Sequence, residues 1–273
     1  MSHAIAIGKL IRSVSMSPNH HAILIEGPPG WGKTRAVDDA LRDAGVQTVH
    51  LGAYSTSLNF YNFLFENRDR FIVIDDTSGL LNDSISMAIL KAATWQQGGR
   101  RLIRWRTNSS FAATQEFLFE GKFIIICNSF PATADGDAIK SRSYVRPILI
   151  TAAEAKKLLS FAAEDKNWFP NTEVARTVAD FLSARMTDDM VSTISYRTLE
   201  MGYDLAKDHP DDWQSLLAPK IPQCFEDPLS VVKSLAEQKL KVKEQVRIFE
   251  EKTGLKRRTF FNYRNSALAK KTD

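Results

Sequence analysis

Short apolar runs recur through the first 150 residues, at Ala22 to Ile25, Phe71 to Ile74, Phe123 to Cys127 and Ile148 to Ile150, with a weaker one from Thr48 to Leu51. They are continuous rather than alternating, and strands apolar on both faces belong to parallel sheets covered by helices on each side. Lys33 to Ala44 and Asp83 to Gln97 keep helical spacing and supply intervening helices. The pattern predicts a doubly wound α/β domain over residues 1–150. From Thr151 the periodicity is helical only: Ala152 to Glu164, Thr172 to Met186 and Ser195 to Asp208 hold apolar residues at three-to-four spacing, the last capped by Thr193 or a neighbour. Pro210 ends this helical domain's third helix, because proline cannot continue it. Residues 151–222 thus read as a helical unit. Pro219, Pro222 and Pro228 mark a linker into a small all-α domain over residues 229–273.

One segment alternates instead. Arg101-Leu102-Ile103-Arg104-Trp105-Arg106-Thr107 interleaves basic with apolar residues, and Glu116-Phe117-Leu118-Phe119-Glu120 interleaves acidic ones. This predicts a half-exposed antiparallel pair. Arg104 and Arg106, flanking Trp105, offer guanidinium groups and a stacking surface to a nucleic acid. Cross-strand pairing of Arg with Glu, with Trp105 packed between, is the favoured alternative.

The chain has 273 residues, 44% apolar and 25% charged, an ordinary globular composition that excludes a disordered or fibrous protein. It has no unbroken 18-residue apolar run and no secretory leader pattern, so the expectation is a cytoplasmic protein without a membrane span. Two cysteines make no disulfide framework, and Cys127, inside an apolar run, reads as a buried side chain. The five histidines lack ligand spacing, and His20-His21 reads as surface. Charge is uneven: from Lys239 to Asp273 stand eleven Lys or Arg against four Asp or Glu, whereas the whole chain carries only +4. The tail therefore holds all of the positive excess and is suited to a polyanion.

Gly27-Pro28-Pro29-Gly30-Trp31-Gly32-Lys33-Thr34 fits G-x-x-x-x-G-K-[ST] between an apolar strand and a helix. Glycines let backbone N–H groups curl around phosphate, and the helix N-terminus adds positive potential. Lys33 is placed to reach the β- and γ-phosphates, and the Thr34 hydroxyl to ligate Mg²⁺. Phe71-Ile72-Val73-Ile74-Asp75-Asp76 then puts two carboxylates at the end of a buried strand, where α/β sheets place ligands. Asp75 suits the metal and Asp76 the attacking water.

With both elements present, residues 1–210 resemble the AAA+ ATPase family, which implies an AAA+ core, a helical lid and ATP with Mg²⁺ as ligands. By that resemblance Lys122 to Cys127 is similar to the sensor-one strand, with Asn128 orienting the water. Asp137 to Arg142 is similar to the segment carrying an arginine finger, which places Arg142, with Arg146 as rival, at a neighbour's nucleotide. Ser195 to Leu199 is similar to the sensor-two position, with Arg197 coupling lid to nucleotide. The resemblance implies a ring or helical homo-oligomer of about six subunits and a pore-facing hairpin. Where the family usually has Asp-Glu, this chain has Asp75-Asp76, as do some helicase-loader and transposition ATPases of the family.

The tail, Val242 to Lys252, Thr253-Gly254 and Leu255 to Ala267, has the helix-turn-helix arrangement, and it resembles bacterial modules of that kind. Lys256, Arg257, Arg258, Thr259, Asn262 and Arg264 on its second helix offer groups that read base edges and grip phosphates. Asp227 to Leu240 supplies a third helix to complete a core. The expected role is an ATPase acting on DNA or DNA-bound proteins, in replication initiation, helicase loading or transposition of a mobile element or phage. The alternatives are a protein remodeller whose tail docks a protein partner, and a slowly hydrolysing nucleotide switch.

Overall fold

The computed structural model describes residues 3–52, 55–106, 110–221, 228–238, 240–253 and 257–269. Helix α1 (His3–Met16) leads into β1 (Ala22–Glu26), α2 (Lys33–Ala44), β2 (Thr48–Leu51), α3 (Ser57–Glu66) and β3 (Phe71–Asp75). Then come α4 (Ser78–Asn82), α5 (Ser84–Thr94), β4 (Leu102–Arg104), β5 (Glu116–Leu118), β6 (Lys122–Cys127), α6 (Ala134–Ser141) and β7 (Tyr144–Pro147). Five strands pair in parallel in the order β2-β3-β6-β1-β7.

Both faces of this sheet are buried, as continuous apolar strands require. Leu24, Ile72, Ile74, Phe123 and Ile125 enter one core with α3 and α5 residues such as Phe60, Leu64 and Leu90. Their strand neighbours Ile23, Ile25, Val73, Ile124 and Ile126 enter the other with Ile7, Ile11, Val37 and Leu41 of α1 and α2. Each fully buried Ile or Leu stabilises the fold by about 1.5–3 kcal/mol.

Two details differ from the sequence expectation. The last strand lies at Tyr144–Pro147, just before the Ile148 to Ile150 run; its exposure alternates, as suits a strand at the sheet edge with one face open. Ile148 still extends the register by donating its N–H to Glu26 O at 2.7 Å. His21 is buried, 3% exposed, under the segment that follows α5: Gln96 Nε2 lies 2.9 Å from its Nε2, while Nδ1 has no partner among the described residues. Burial, with Arg101 and then Lys122 and His20 nearby, lowers its pKa to about 4. The buried Arg101 guanidinium donates to Ala93 O and Gly121 O.

Helices α7 (Ala152–Ala163), α8 (Thr172–Ala184) and α9 (Tyr196–Asp208) follow the sheet. Thr151 and Glu154 form a reciprocal capping box that fixes the start of α7. The chain divides into two compact units between Tyr203 and Asp204. The C-terminal unit contains α10 (Trp213–Leu217), α11 (Pro228–Glu237), α12 (Val242–Thr253) and α13 (Arg257–Ala269). Val231, Val232, Leu235, Val246, Phe249 and Phe260 form its core, with Phe249 and Phe260 edge to face at 5.3 Å. The buried Gln245 amide donates to Leu235 O and Leu240 O, closing the end of α11. Among the described residues no helix is long and apolar enough to cross a membrane.

Candidate nucleotide-binding site

Three adjacent strands end together. Glu26 of β1 stands opposite Cys127 of β6, and Asp75 of β3 opposite Ile126, so the residues that follow each strand emerge side by side. These are the Gly27–Thr34 loop, Asn128 and Asp76. The loop is held to its shape by contacts only glycine permits. A Cβ on Gly27 would stand 2.6 Å from Ile148 O; one on Gly30, whose φ is +78°, would stand 2.3 Å from Ser195 Oγ. Gly32 starts α2 with no side-chain cap, leaving the helix N-terminus open to an anion.

Lys33 is buried, and its Nζ donates to Gly27 O, Pro28 O and Asn128 Oδ1, each at 2.9 Å. Burial lowers its pKa below the ordinary lysine value, against the opposing pull of nearby groups that include Asp75 and Asp76. Thr34 Oγ1 donates to Asp75 Oδ2 at 2.8 Å. Asp76 has φ +48°, and its N–H donates to Ile126 O at 3.1 Å. These groups share a cavity of about 330 Å³ with Asn128, Tyr196 and Arg197. Cys127 also lines it, but burial pushes its thiol up to about 12, so it is no nucleophile at neutral pH.

Sequence reasoning missed the aromatic wall. Trp168 and Glu200 also line the cavity, with the Trp168 indole donating to Glu200 Oε1 at 2.8 Å and Arg35 lying over its ring at 4.9 Å. Trp31 turns away from the cavity mouth: it is 6% exposed, its indole N–H donates to Val191 O at 2.7 Å, and its ring meets Tyr196. No local pattern marks these partners, which come from positions 168–200, on α9 and the loops before it.

Arg142 is not part of this cavity. Its guanidinium lies 4.4 Å over the half-exposed Trp95 ring. Arg146 lies on β7, with a buried Nε that has no partner among the described residues. In the hairpin, β4 pairs antiparallel with β5; Arg104 meets Glu116 at 2.8 Å, Trp105 packs edge-on against Tyr61, and Arg106 is exposed. In the C-terminal unit Arg257, Arg258 and Asn262 are exposed on α13, Thr259 and Arg264 are half-buried, and the Arg257 N–H donates to Glu250 Oε1. Thr107, Gly254 and Lys256 lie outside the described residues. Among the described residues no group of three or more His, Cys, Asp or Glu could by itself hold a metal ion.

No protein-family model matches the sequence, and no curated protein matches it. Solved structures resemble it at low identity. The Thermotoga maritima RuvB Holliday junction branch migration motor is 12% identical, with TM-score 0.45 over 91% of this chain and 83% of that one. A DNA replication initiation factor is 12% identical, with TM-score 0.44 over 85% and 67%. Domain III of the Thermotoga maritima replication initiation protein DnaA is 15% identical, with TM-score 0.39 over 91% of each chain.

Proposed function

We propose that this chain is an ATPase of the AAA+ type that hydrolyses ATP and acts on DNA. The observation that carries the reading is the convergence of Lys33, Thr34, Asp75, Asp76 and Asn128 on one cavity at the ends of three adjacent strands. The open N-terminus of α2 and the glycine-shaped loop suit the phosphates, with Gly27, Pro28, Pro29, Gly30, Trp31 and Gly32 as its backbone. Lys33, held by three oxygen acceptors, is preset for the β- and γ-phosphates. The Thr34 hydroxyl and Asp75 carboxylate, already in contact, are the hard oxygen donors that Mg²⁺ takes together with phosphate. Mg²⁺ bound there would neutralise phosphate charge. Asp76 and Asn128 serve the water, and Arg197, beside the loop, senses the nucleotide.

Residues 1–150 form the ATPase core, 151–222 the lid and 229–273 the DNA-binding module. Arg142, which does not line its own cavity, serves the nucleotide of a neighbour in a ring or helix of about six copies. Arg104 and Trp105 are engaged within the hairpin fold, so the exposed face of α13 is the assigned DNA contact, with Arg106 as a further candidate. The setting is a cytoplasmic one, in replication or in the movement of a mobile element. Phosphate release from ATP, measured with the intact chain and with Lys33→Ala, tests the core claim. Turnover that survives in Lys33→Ala would overturn it.

A further inference from the structure

Glu26 ends β1 after four fully buried apolar residues, where the chain leaves the sheet for the Gly27–Thr34 loop. Its side chain is largely buried, 26% exposed. A carboxylate is unfavourable in such a place unless its oxygens find partners, and both do. Oε1 accepts from the Phe130 N–H at 3.0 Å, and Oε2 lies 3.1 Å from Lys140 Nζ on α6. The first bond has an ionised acceptor and is stronger than its neutral counterpart. Lys140 supplies the opposite charge.

Phe130 stands two residues after Asn128, which lines the nucleotide cavity. Asn128 and Ser129 are exposed and belong to no helix or strand, whereas Phe130 is buried. One stretch of chain, residues 26–33, holds both ends of this turn: Lys33 Nζ donates to Asn128 Oδ1 at 2.9 Å, and Glu26 receives the Phe130 N–H. The two anchors differ in what phosphate does to them. A lysine ammonium has three hydrogens, and those of Lys33 already meet Gly27 O, Pro28 O and Asn128 Oδ1. Donation to phosphate requires one of these bonds to be given up. Gly27 O and Pro28 O are fixed in the loop backbone, so the bond to the Asn128 side chain is the one a rotation releases. The Glu26 anchor uses no group assigned to ATP, and it stays.

We propose that Glu26 is a positioning residue for Asn128: its bond to the Phe130 N–H fixes the turn that presents the Asn128 amide to the nucleotide cavity once Lys33 has turned to phosphate. This rests on the ATPase reading above and on the place of Asn128 in it. Glu26 itself does not line the cavity, so it acts through Asn128 and touches neither nucleotide nor water. The working feature is an acceptor oxygen at the Phe130 N–H. A neutral amide oxygen there serves the same end, since Lys140 is partly exposed and can turn to solvent.

The test measures ATP affinity and turnover per ATP-binding site in the intact chain. It compares Glu26→Gln, which keeps an oxygen for the Phe130 N–H, with Glu26→Leu, which has none. The Leu variant is expected to lose about tenfold in turnover with ATP affinity unchanged, and Gln to stay within about threefold of the parent. A residue that only stabilised the fold would lower Tm and leave both values alone. Parental turnover in Glu26→Leu therefore overturns the proposal, and so does a Gln variant as slow as Leu. Should Leu fold poorly, Glu26→Ala must show the same loss, and parental turnover there overturns the proposal equally. Adding Glu26→Leu to Asn128→Ala should slow it no further than about threefold, because no amide is left to present; losses that multiply overturn the proposal. Two single variants separate the failures. Turnover in Lys33→Ala defeats the ATPase reading, and parental turnover in Asn128→Ala defeats the role of Asn128 and that of Glu26 with it. If both are slow beside a parental Glu26→Leu, only the role of Glu26 is removed.

Discussion

Trp31 and Tyr196 meet edge to face with ring centroids 5.1 Å apart, joining the Gly27–Thr34 loop to the first turn of α9. The Trp31 indole bond to Val191 O anchors the same loop from a position 160 residues away in sequence. The residue between Gly30 and Gly32 therefore acts inward, on Val191 and Tyr196. Trp31→Ala is expected to lower stability by about 3–5 kcal/mol, the usual loss for a buried tryptophan. Trp31→Phe keeps the ring contact but orphans the carbonyl, for about 1–3 kcal/mol. Urea unfolding of the three proteins measures both.

Two left-handed glycines separate strain from collision. Gly45 has φ +64° and open space around its Cβ position, so Gly45→Ala should cost only the backbone strain, about 1–2 kcal/mol. Gly30→Ala meets the same strain and also Ser195. It should weaken ATP binding at least tenfold in a titration with a fluorescent analogue, while Gly45→Ala leaves binding unchanged.

His21 predicts an acid limb of stability. Its pKa is lowered to about 4 in the fold, against 6.5 in the unfolded chain, so the unfolded state takes up the proton first. The contribution is full above pH 6.5 and falls as pH drops through the window from 6.5 to 4, where the loss reaches about 3 kcal/mol. In His21→Phe the dependence of unfolding free energy on pH should flatten across that window. An unchanged slope would assign the acid limb to other groups.

On the proposed role of its guanidinium at a neighbour's nucleotide, Arg142→Ala should bind ATP normally and lose about 10³-fold in turnover. Parental turnover at every protein concentration would remove Arg142 from the site.

For the tail, the expected result is tight DNA binding that weakens steeply with salt. Deleting residues 229–273 should abolish it, and Arg258→Ala should reduce the slope of log affinity against log salt by about one unit. Equal slopes would place the contact elsewhere.

Much of this site was legible because its parts are local. The glycine loop, the Asp75-Asp76 pair and Asn128 each follow directly on a strand whose apolar run is unmistakable, and strand ends share one edge of a parallel sheet. What was not legible depends on distant partners. Nothing near Trp31 announces Val191, and nothing near His21 announces Gln96, which buries it. The edge strand was displaced by a few residues because one flank of β7 is open and needs no continuous apolar run.

The strand order has a consequence for synthesis on the ribosome. β6 lies between β1 and β3 although it is made after both. A nascent chain that has emerged only as far as Asp76 already contains the phosphate loop and both carboxylates, yet lacks the strand that brings them side by side. On the proposed function, competence to hold nucleotide therefore arrives only once Lys122–Cys127 has joined the sheet.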